Sequence, residues 1–132
     1  MSKPYQVVGI GNAVSDVIAK TSDIFLAENG VEKGIMQLID QPRAEALFSV
    51  MDARTETPGG SVANTISGLG SLGVRTAFIG RVADDELGLS YAVAMAKEGT
   101  EFPNPPVSNA ALPTSRSMIF VSPDGERSMN TY

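Results

Sequence analysis

The stretch that decides the fold of this chain is Gly59-Gly60-Ser61-Val62-Ala63-Asn64-Thr65, in which two adjacent glycines run into the start of a predicted helix. Because neither glycine carries a Cβ atom, the backbone can turn sharply there and can approach a ligand closely. Ser61 follows the turn and is predicted to be the N-cap of the helix. The stretch therefore predicts a turn and a helix whose N-terminus can face a ligand.

The predicted helix has one polar and one apolar face. The polar face consists of small or polar residues at i, i+3, i+4 and i+7, namely Ser61, Asn64, Thr65 and Gly68, and the apolar face of Val62, Ile66 and Leu69. A polar face at a helix N-terminus can hold hydroxyl groups or an anion. The same pattern also fits a helix whose small face permits close packing. These residues alone leave both interpretations open.

The composition excludes several classes of function. The chain has 132 residues, 42% of them hydrophobic, which is enough for one globular domain with a core. Its net charge is -5 and its ten basic residues are scattered, so a nucleic-acid surface is not expected. It has no Cys and no His, which excludes disulfides, thiol nucleophiles and a histidine base. No apolar run is long enough to span a membrane, and we expect a cytoplasmic protein.

The first hundred residues alternate between strand and helix signals, which is typical of an α/β fold built on a parallel sheet. Residues 6–11 form an apolar run that predicts a strand covered on both faces. The further predicted elements are a helix over 23–29 capped by Ser22 and ended by Gly30, a strand over 34–39, a helix over 42–51 with Asp40 near its cap, a strand over 74–79, and a longer helix capped by Asp84 or Asp85 and ended by Gly99.

The last thirty residues have a different pattern. Several prolines between residues 103 and 113 mark a connector. Two strand-like runs, 117–121 and 126–132, flank the turn signal Ser122-Pro123-Asp124-Gly125. The tail is therefore predicted to be a β-hairpin.

Two polar side chains follow the first predicted strand. Asn12 and Asp16 lie in the segment Gly9-Ile10-Gly11-Asn12-Ala13-Val14-Ser15-Asp16, at the carboxyl end of that strand, where ligands bind to parallel sheets. A carboxylate can accept two hydrogen bonds from vicinal hydroxyls, and an amide can donate and accept, so this pair suits a sugar. A dinucleotide fingerprint is the alternative, but its third glycine is replaced by Val14. Asp16 on its own also fits a turn-capping role.

Several motifs, in their order along the chain, resemble the ribokinase-like (PfkB-type) carbohydrate and nucleoside kinases. They are GNAVSD at 11–16, GGSVANT at 59–65, the strand over 74–79 followed by RVADDELG at 81–88, and the hairpin over 113–127. The segments GIMQLID at 34–40 and PDGERSMNTY at 123–132 are most similar to the adenosine-kinase-like branch. The resemblance implies a Rossmann-like αβα parallel sheet with a small β-sheet lid, of which residues 1–132 form the incomplete N-terminal portion.

The resemblance also implies roles for individual residues. Asn12 and Asp16 are expected to bind sugar hydroxyls, Gly59 and Gly60 to bring backbone amides to the substrate, and Asn64 to bind another hydroxyl. This chain departs from the glycine-rich signature of the family, because Val62, Ile66 and Ala83 stand where smaller residues or glycine are usual. The departure leaves the identity of the substrate open.

The lid is expected to use strands near residues 17–20, 34–39 and 117–132. Met36 and Ile119 would cover the substrate, and Arg127 would approach the transferred phosphate, since a guanidinium suits that charge. Ordinary lid-core packing for Met36 and Ile119, and an exposed hairpin position for Arg127, are the open alternatives.

The implied reaction of the parent enzyme transfers the γ-phosphoryl group of ATP to a hydroxyl, with Mg2+ on the phosphates. The Gly-Ala-Gly-Asp motif that carries the family's catalytic aspartate does not occur in these 132 residues. We therefore expect no catalytic residue, metal ligand or ATP site in this chain, which would supply the acceptor-binding half and be inactive alone. The sequence stops within an apparent strand, which favours a truncated chain.

A different class of function also fits the sequence. The chain can be a non-catalytic ligand-binding or assembly module that reuses half of the fold. In either case an interrupted sheet leaves apolar surface and a strand edge uncovered, so a homo-oligomer is expected.

Overall fold

The computed structural model describes residues 2–132, which fall into two compact units. Unit 1 comprises residues 2–15 and 57–115, and unit 2 comprises residues 16–56 and 116–132. The chain thus passes between the units at three points.

The elements of the structure are mixed α and β, as the sequence predicts. The strands are β1 (Val7–Ile10), β2 (Val14–Lys20), β3 (Met36–Leu38), β4 (Thr55–Gly59), β5 (Thr76–Ile79), β6 (Thr100–Glu101), β7 (Ser115–Val121) and β8 (Arg127–Thr131). The helices are α1 (Asp23–Glu28), α2 (Gln41–Val50), α3 (Ser61–Ser71) and α4 (Glu86–Lys97).

Unit 1 is built on a parallel sheet in the order β1-β5-β6. Its core combines one face of this sheet with apolar residues of α3 and α4: Ala13, Ala63, Ile66, Phe78, Val82, Tyr91 and Met95. The helix α3 lies close to β1, since a Cβ atom on Gly9 would come within 2.5 Å of the Ile66 side chain. Gly9 therefore faces α3, and its neighbours Val8 and Ile10 face the other way.

The prediction that β1 is covered on both faces is wrong for the part of the chain that the structure describes. Val8 is 50% exposed and Ile10 is 74% exposed. Ile79, the register partner of Ile10 on β5, is 43% exposed. The helices of unit 1 cover the Gly9 side of the sheet and leave Val8, Ile10 and Ile79 on the opposite side exposed.

Unit 2 is built on a mixed sheet in the order β3-β8-β7-β2-β4. The predicted hairpin is confirmed: β7 and β8 are antiparallel, and Gly125 in the turn between them has a φ of +84°. The helices α1 and α2 contribute to a core with one face of the sheet: Val17, Ala19, Leu26, Val31, Ala44, Leu47, Met51, Met118 and Phe120.

Three predicted N-caps are confirmed. The side-chain oxygens of Ser22, Asp40 and Asp85 accept hydrogen bonds from the third helical residue of α1, α2 and α4 at 3.1, 3.0 and 2.8 Å. The predicted cap of α3 is wrong by one position, because Ser61 is its first helical residue. Gly60 is the N-cap, with a φ of +99°, and it provides no side-chain hydrogen bond.

Two strands have no counterpart in the sequence analysis. β4 contains Pro58, which discourages a strand assignment, but it lies at the edge of its sheet, where a missing N–H is tolerated. β6 has two residues and is too short to produce a pattern. None of the helices within residues 2–132 has the length and apolar character to cross a membrane.

Candidate functional site

The double-glycine turn of unit 1 depends on the absence of a side chain at Gly60. A Cβ atom there would lie 2.6 Å from the carbonyl oxygen of Asn12, and the φ of +99° disfavours any L side chain. The Gly60 carbonyl accepts a hydrogen bond from the Asn64 backbone N–H at 2.9 Å. The turn thus brings three of the predicted site residues together: Asn12, Gly60 and Asn64.

Gly59 holds the same turn from its buried side. Its carbonyl accepts a hydrogen bond from the hydroxyl of Tyr91 at 3.1 Å, in the core of unit 1. This polar contact of Tyr91 was not predicted from the sequence. Its hydroxyl was the available signal, since a buried tyrosine usually finds a hydrogen-bond partner.

The N-terminus of α3 combines an N-cap that has no side-chain hydrogen bond with exposed polar side chains. No side chain of the Gly60 cap satisfies its first amides. Ser61, Asn64 and Thr65 are exposed there, while the Thr65 hydroxyl donates to the Ser61 carbonyl at 2.9 Å. The exposed Asn64 amide can therefore both donate to and accept from a bound hydroxyl.

Two of the residues that depart from the family signature pack inside unit 1. Val62 and Ile66 are the nearest neighbours of a Cβ atom placed on Gly9, at 2.9 and 2.5 Å. Ile66 is 4% exposed. Their bulk thus fills space beside β1, and Gly9 makes this close approach possible.

In unit 2, the charge of Arg127 acts on the carboxyl group of Asp16. Asp16 lies on β2, half-buried, on the sheet face opposite to its neighbour Val17, which belongs to the core. Burial raises the pKa of the Asp16 carboxyl, and the positive charge of Arg127 acts in the opposite direction. Arg127 is the exposed first residue of β8. The pair combines a carboxylate acceptor with a cation in one unit.

Met36 and Ile119 lie on the same sheet as this pair. Met129 of β8 is the register partner of both, on β3 and β7 respectively, so the three side chains share one face. Met36 is 55% exposed, whereas Ile119 is 4% exposed. Met36 is therefore accessible to solvent on that face, and Ile119 is packed into it.

The described residues 2–132 contain no cluster of three or more His, Cys, Asp or Glu side chains that could hold a metal ion.

The sequence pattern of the pfkB family carbohydrate kinases matches residues 35–132. The chain belongs to this family. Among solved structures, it is 50% identical to an adenosine kinase from Sinorhizobium meliloti, with a TM-score of 0.85. It is 43% identical to a probable sugar kinase from Rhizobium etli CFN 42, with a TM-score of 0.86. Probable fructokinase-2 of Arabidopsis thaliana is 29% identical to it over 113 residues.

These relatives of the pfkB family are much longer than this chain. The matches cover 98% and 99% of it but 39% of each solved protein, and 80% of it but 34% of the fructokinase. The family and the ribokinase-like α/β class predicted from the motifs are confirmed. The predicted site residues lie in a chain that spans about two fifths of the solved relatives' length.

Proposed function

We propose that this chain provides the acceptor-binding part of an ATP-dependent kinase that phosphorylates a hydroxyl group of a sugar or nucleoside. The turn at Gly60 carries the proposal, because a Cβ atom has no room there and because an uncapped, polar helix N-terminus follows it. Such a turn can present backbone amides and the Asn64 side chain to hydroxyls. Membership of the pfkB family supports the reaction class.

The acceptor contacts are assigned to residues in each unit. Asn12, Gly59, Gly60 and Asn64 of unit 1 provide amide and carbonyl groups for sugar hydroxyls. Asp16 of unit 2 accepts hydrogen bonds from two hydroxyls in its ionised form. The assignment is supported by the contacts within each unit and by the chemistry of the side chains.

The sheet of unit 2 acts in this proposal as a lid, using strands near residues 17–20, 34–39 and 117–132. The apolar residues Met36 and Ile119 cover the face of the acceptor. Arg127 neutralises charge on the transferred phosphate and tunes the carboxylate of Asp16. Burial raises the pKa of the Asp16 carboxyl and the charge of Arg127 opposes this rise, which supports a cation that acts on this carboxyl group.

A nucleoside is the acceptor class that the comparisons favour. The adenosine kinase from Sinorhizobium meliloti is 50% identical to this chain, the probable sugar kinase from Rhizobium etli CFN 42 is 43% identical and the probable fructokinase is 29% identical. The chain lacks the Gly-Ala-Gly-Asp motif. The catalytic base, ATP and Mg2+ are therefore assigned to a part of the parent enzyme beyond these residues.

A second candidate is a non-catalytic module that assembles through its parallel sheet. The exposed side chains of Val8, Ile10 and Ile79 favour it, because they form an aliphatic surface beside the free edge of β1. A homo-oligomer formed through this surface is compatible with both candidates.

A chimera tests the proposed function. Residues 1–132 are joined to the part of the Sinorhizobium meliloti adenosine kinase that they do not cover, and ATP-dependent phosphorylation of adenosine, ribose and fructose is measured. We expect activity with adenosine, and at least a tenfold rise in the adenosine KM for Gly60→Ala, because the new Cβ atom displaces the Asn12 carbonyl.

Gly73→Ala is the matched control, since Gly73 also has a positive φ of +87° but has open space around it. It should lower the thermal stability and leave the adenosine KM unchanged. Equal effects of the two substitutions on KM would contradict the role of the Gly60 turn.

A further inference from the structure

The double-glycine turn of unit 1 is held by a hydroxyl group in the core. The hydroxyl of Tyr91 donates to the Gly59 carbonyl at 3.1 Å. Tyr91 is 2% exposed, and the centroid of its ring lies 5.4 Å from that of Phe102 and 6.5 Å from that of Phe78. Because the Tyr91 ring packs on these two rings, its hydroxyl has a defined position. The Gly59 carbonyl is therefore bound to a fixed donor.

This contact determines which way the next amide points. No peptide bond within residues 2–132 is cis, so the bond between Gly59 and Gly60 is trans. In a planar trans peptide the carbonyl and the N–H point in opposite directions. Since the Gly59 carbonyl points to Tyr91, the Gly60 N–H points away from Tyr91. Gly59 is buried and Gly60 is partly exposed, so the contact directs an amide donor away from the core at the more accessible glycine.

Two adjacent glycines also make the opposite orientation of this peptide available. Rotating it by about half a turn changes ψ of Gly59 and φ of Gly60 together, and glycine accepts either sign of φ. The φ of Gly60 is +99°, and rotation would bring it to an ordinary negative value. It would also take the carbonyl away from the Tyr91 hydroxyl. Because a buried polar group that loses its partner is costly, the hydroxyl favours the observed orientation.

We infer that Tyr91 is a positioning residue for acceptor binding. Its hydroxyl holds the Gly59–Gly60 peptide in the orientation in which the Gly60 N–H can donate to a hydroxyl oxygen of the acceptor. The rotated peptide would present a carbonyl instead and would remove this donor. Tyr91 lies on α4, 32 residues after Gly59, and acts through the turn without touching the acceptor. The inference rests on the proposed function.

Kinetics of Tyr91→Phe in the chimera test the inference. The substitution removes one oxygen atom and keeps the aromatic ring in the core. We expect the KM for adenosine to rise about fivefold, because a neutral hydrogen bond to the acceptor is weakened. The kcat and the KM for ATP should stay close to the wild-type values, since the loss affects acceptor binding.

Thr100→Val is the matched control, because it removes another buried hydroxyl of unit 1 and also keeps the shape of the side chain. Thr100 is 1% exposed, and its hydroxyl donates to the Ile66 carbonyl of α3 at 3.3 Å, away from the turn. It should lower the melting temperature and leave the adenosine KM unchanged. Equal rises in KM for Tyr91→Phe and Thr100→Val would overturn the inference, because loss of stability would then explain both.

NMR of the 132-residue chain, labelled at glycine with 15N and 13C, reports the orientation of the peptide without any activity. Tyr91→Phe should shift the carbonyl carbon signal of Gly59 and the amide signal of Gly60, and Thr100→Val should shift neither. In the wild-type chimera, adenosine should shift the Gly60 amide signal. This last measurement decides if Tyr91→Phe does not fold, since an unshifted Gly60 amide would overturn the inference.

The kinetics also separate this inference from the proposed function. If Tyr91→Phe keeps the wild-type adenosine KM while Gly60→Ala raises it, the role of Tyr91 is wrong and the acceptor site at the turn stands. If neither substitution changes the KM, both are wrong.

Discussion

The two sheets of this chain both carry exposed aliphatic side chains on the face away from their helices, but they differ in what accompanies them. In unit 1, β1 and β5 contribute the exposed side chains of Val8, Ile10 and Ile79 to that face, all of them apolar. In unit 2, the apolar residues share their face with Asp16, whose pKa is raised by burial and lowered by Arg127. The first face suits another polypeptide surface, and the second suits a polar ligand.

The largest expected effect is the loss of kinase activity when the acceptor-binding part is tested without the rest of the enzyme. The 132-residue chain alone should show no ATP-dependent phosphorylation of adenosine, ribose or fructose, because no residue in it replaces the catalytic aspartate or its anion-stabilising amides. Radiolabel transfer from ATP, compared with a mock purification, measures this. Turnover by the pure chain above that background would contradict the division of roles.

A smaller effect is expected at the polar N-terminus of α3. Asn64→Ala in the chimera should lower kcat/KM for the acceptor about tenfold, because a neutral hydrogen bond contributes roughly 0.5–1.5 kcal/mol. Thr65→Ala is the control, since its hydroxyl already donates to the Ser61 carbonyl. If both variants retain the wild-type kcat/KM, the polar face of α3 has no role in acceptor binding.

The aliphatic face of unit 1 should cause self-association of the isolated chain. Sedimentation velocity is expected to show a dimer or larger species, and Ile10→Asp should weaken the association at least tenfold because a carboxylate then has to be desolvated. Ile24→Asp places the same charge on α1, where Ile24 is 70% exposed, and should have no such effect. A wild-type chain that remains monomeric at high concentration would contradict self-association through this face.

The smallest effect is expected for the pKa of Asp16 on the sheet of unit 2. Arg127→Gln should raise the pKa of Asp16 further, because burial already raises it and the opposing positive charge is lost. Carbon NMR of the Asp16 carboxyl group follows this, with Lys33→Gln as the control cation. If the pKa of Asp16 falls or does not change in Arg127→Gln, the charge of Arg127 does not act on Asp16.

The same carboxyl group makes stability depend on pH with a defined sign. Since its pKa is higher in the folded chain than in the unfolded one, the folded state favours the protonated form. The contribution of Asp16 to stability is fully present below the unfolded pKa and is lost as the pH rises through the folded pKa. The stability gained by Asp16→Asn, relative to the wild type, should therefore increase with pH over that range.

Elements with local signals were predictable from the sequence. The caps Ser22, Asp40 and Asp85 each need a short polar side chain three residues before the amide that it binds, and the sequence shows that spacing. The hairpin follows from Pro123, Asp124 and Gly125 between strand-like runs. The family followed from motifs in a fixed order and is confirmed.

Features that depend on distant contacts were not predictable. The cap of α3 moved from Ser61 to Gly60 because the glycine fits beside the Asn12 carbonyl, about fifty residues earlier in the chain. The exposure of Ile10 depends on which helices reach its side of the sheet, and an apolar run cannot show that. The contact between Tyr91 and Gly59 likewise joins residues that no local pattern connects.

The role of Asp16 is the central claim, and one paired measurement tests it most directly: the melting temperature and the acceptor kinetics of Asp16→Ala in the chimera. Loss of charge-assisted hydrogen bonds, worth roughly 1.5–3 kcal/mol each, should lower kcat/KM for adenosine by about two orders of magnitude or more. The melting temperature should not fall below that of the wild type, because burial already disfavours the ionised carboxylate, and ATP binding should change little. A lower melting temperature with unchanged acceptor kinetics would show instead that Asp16 has only a structural role within β2.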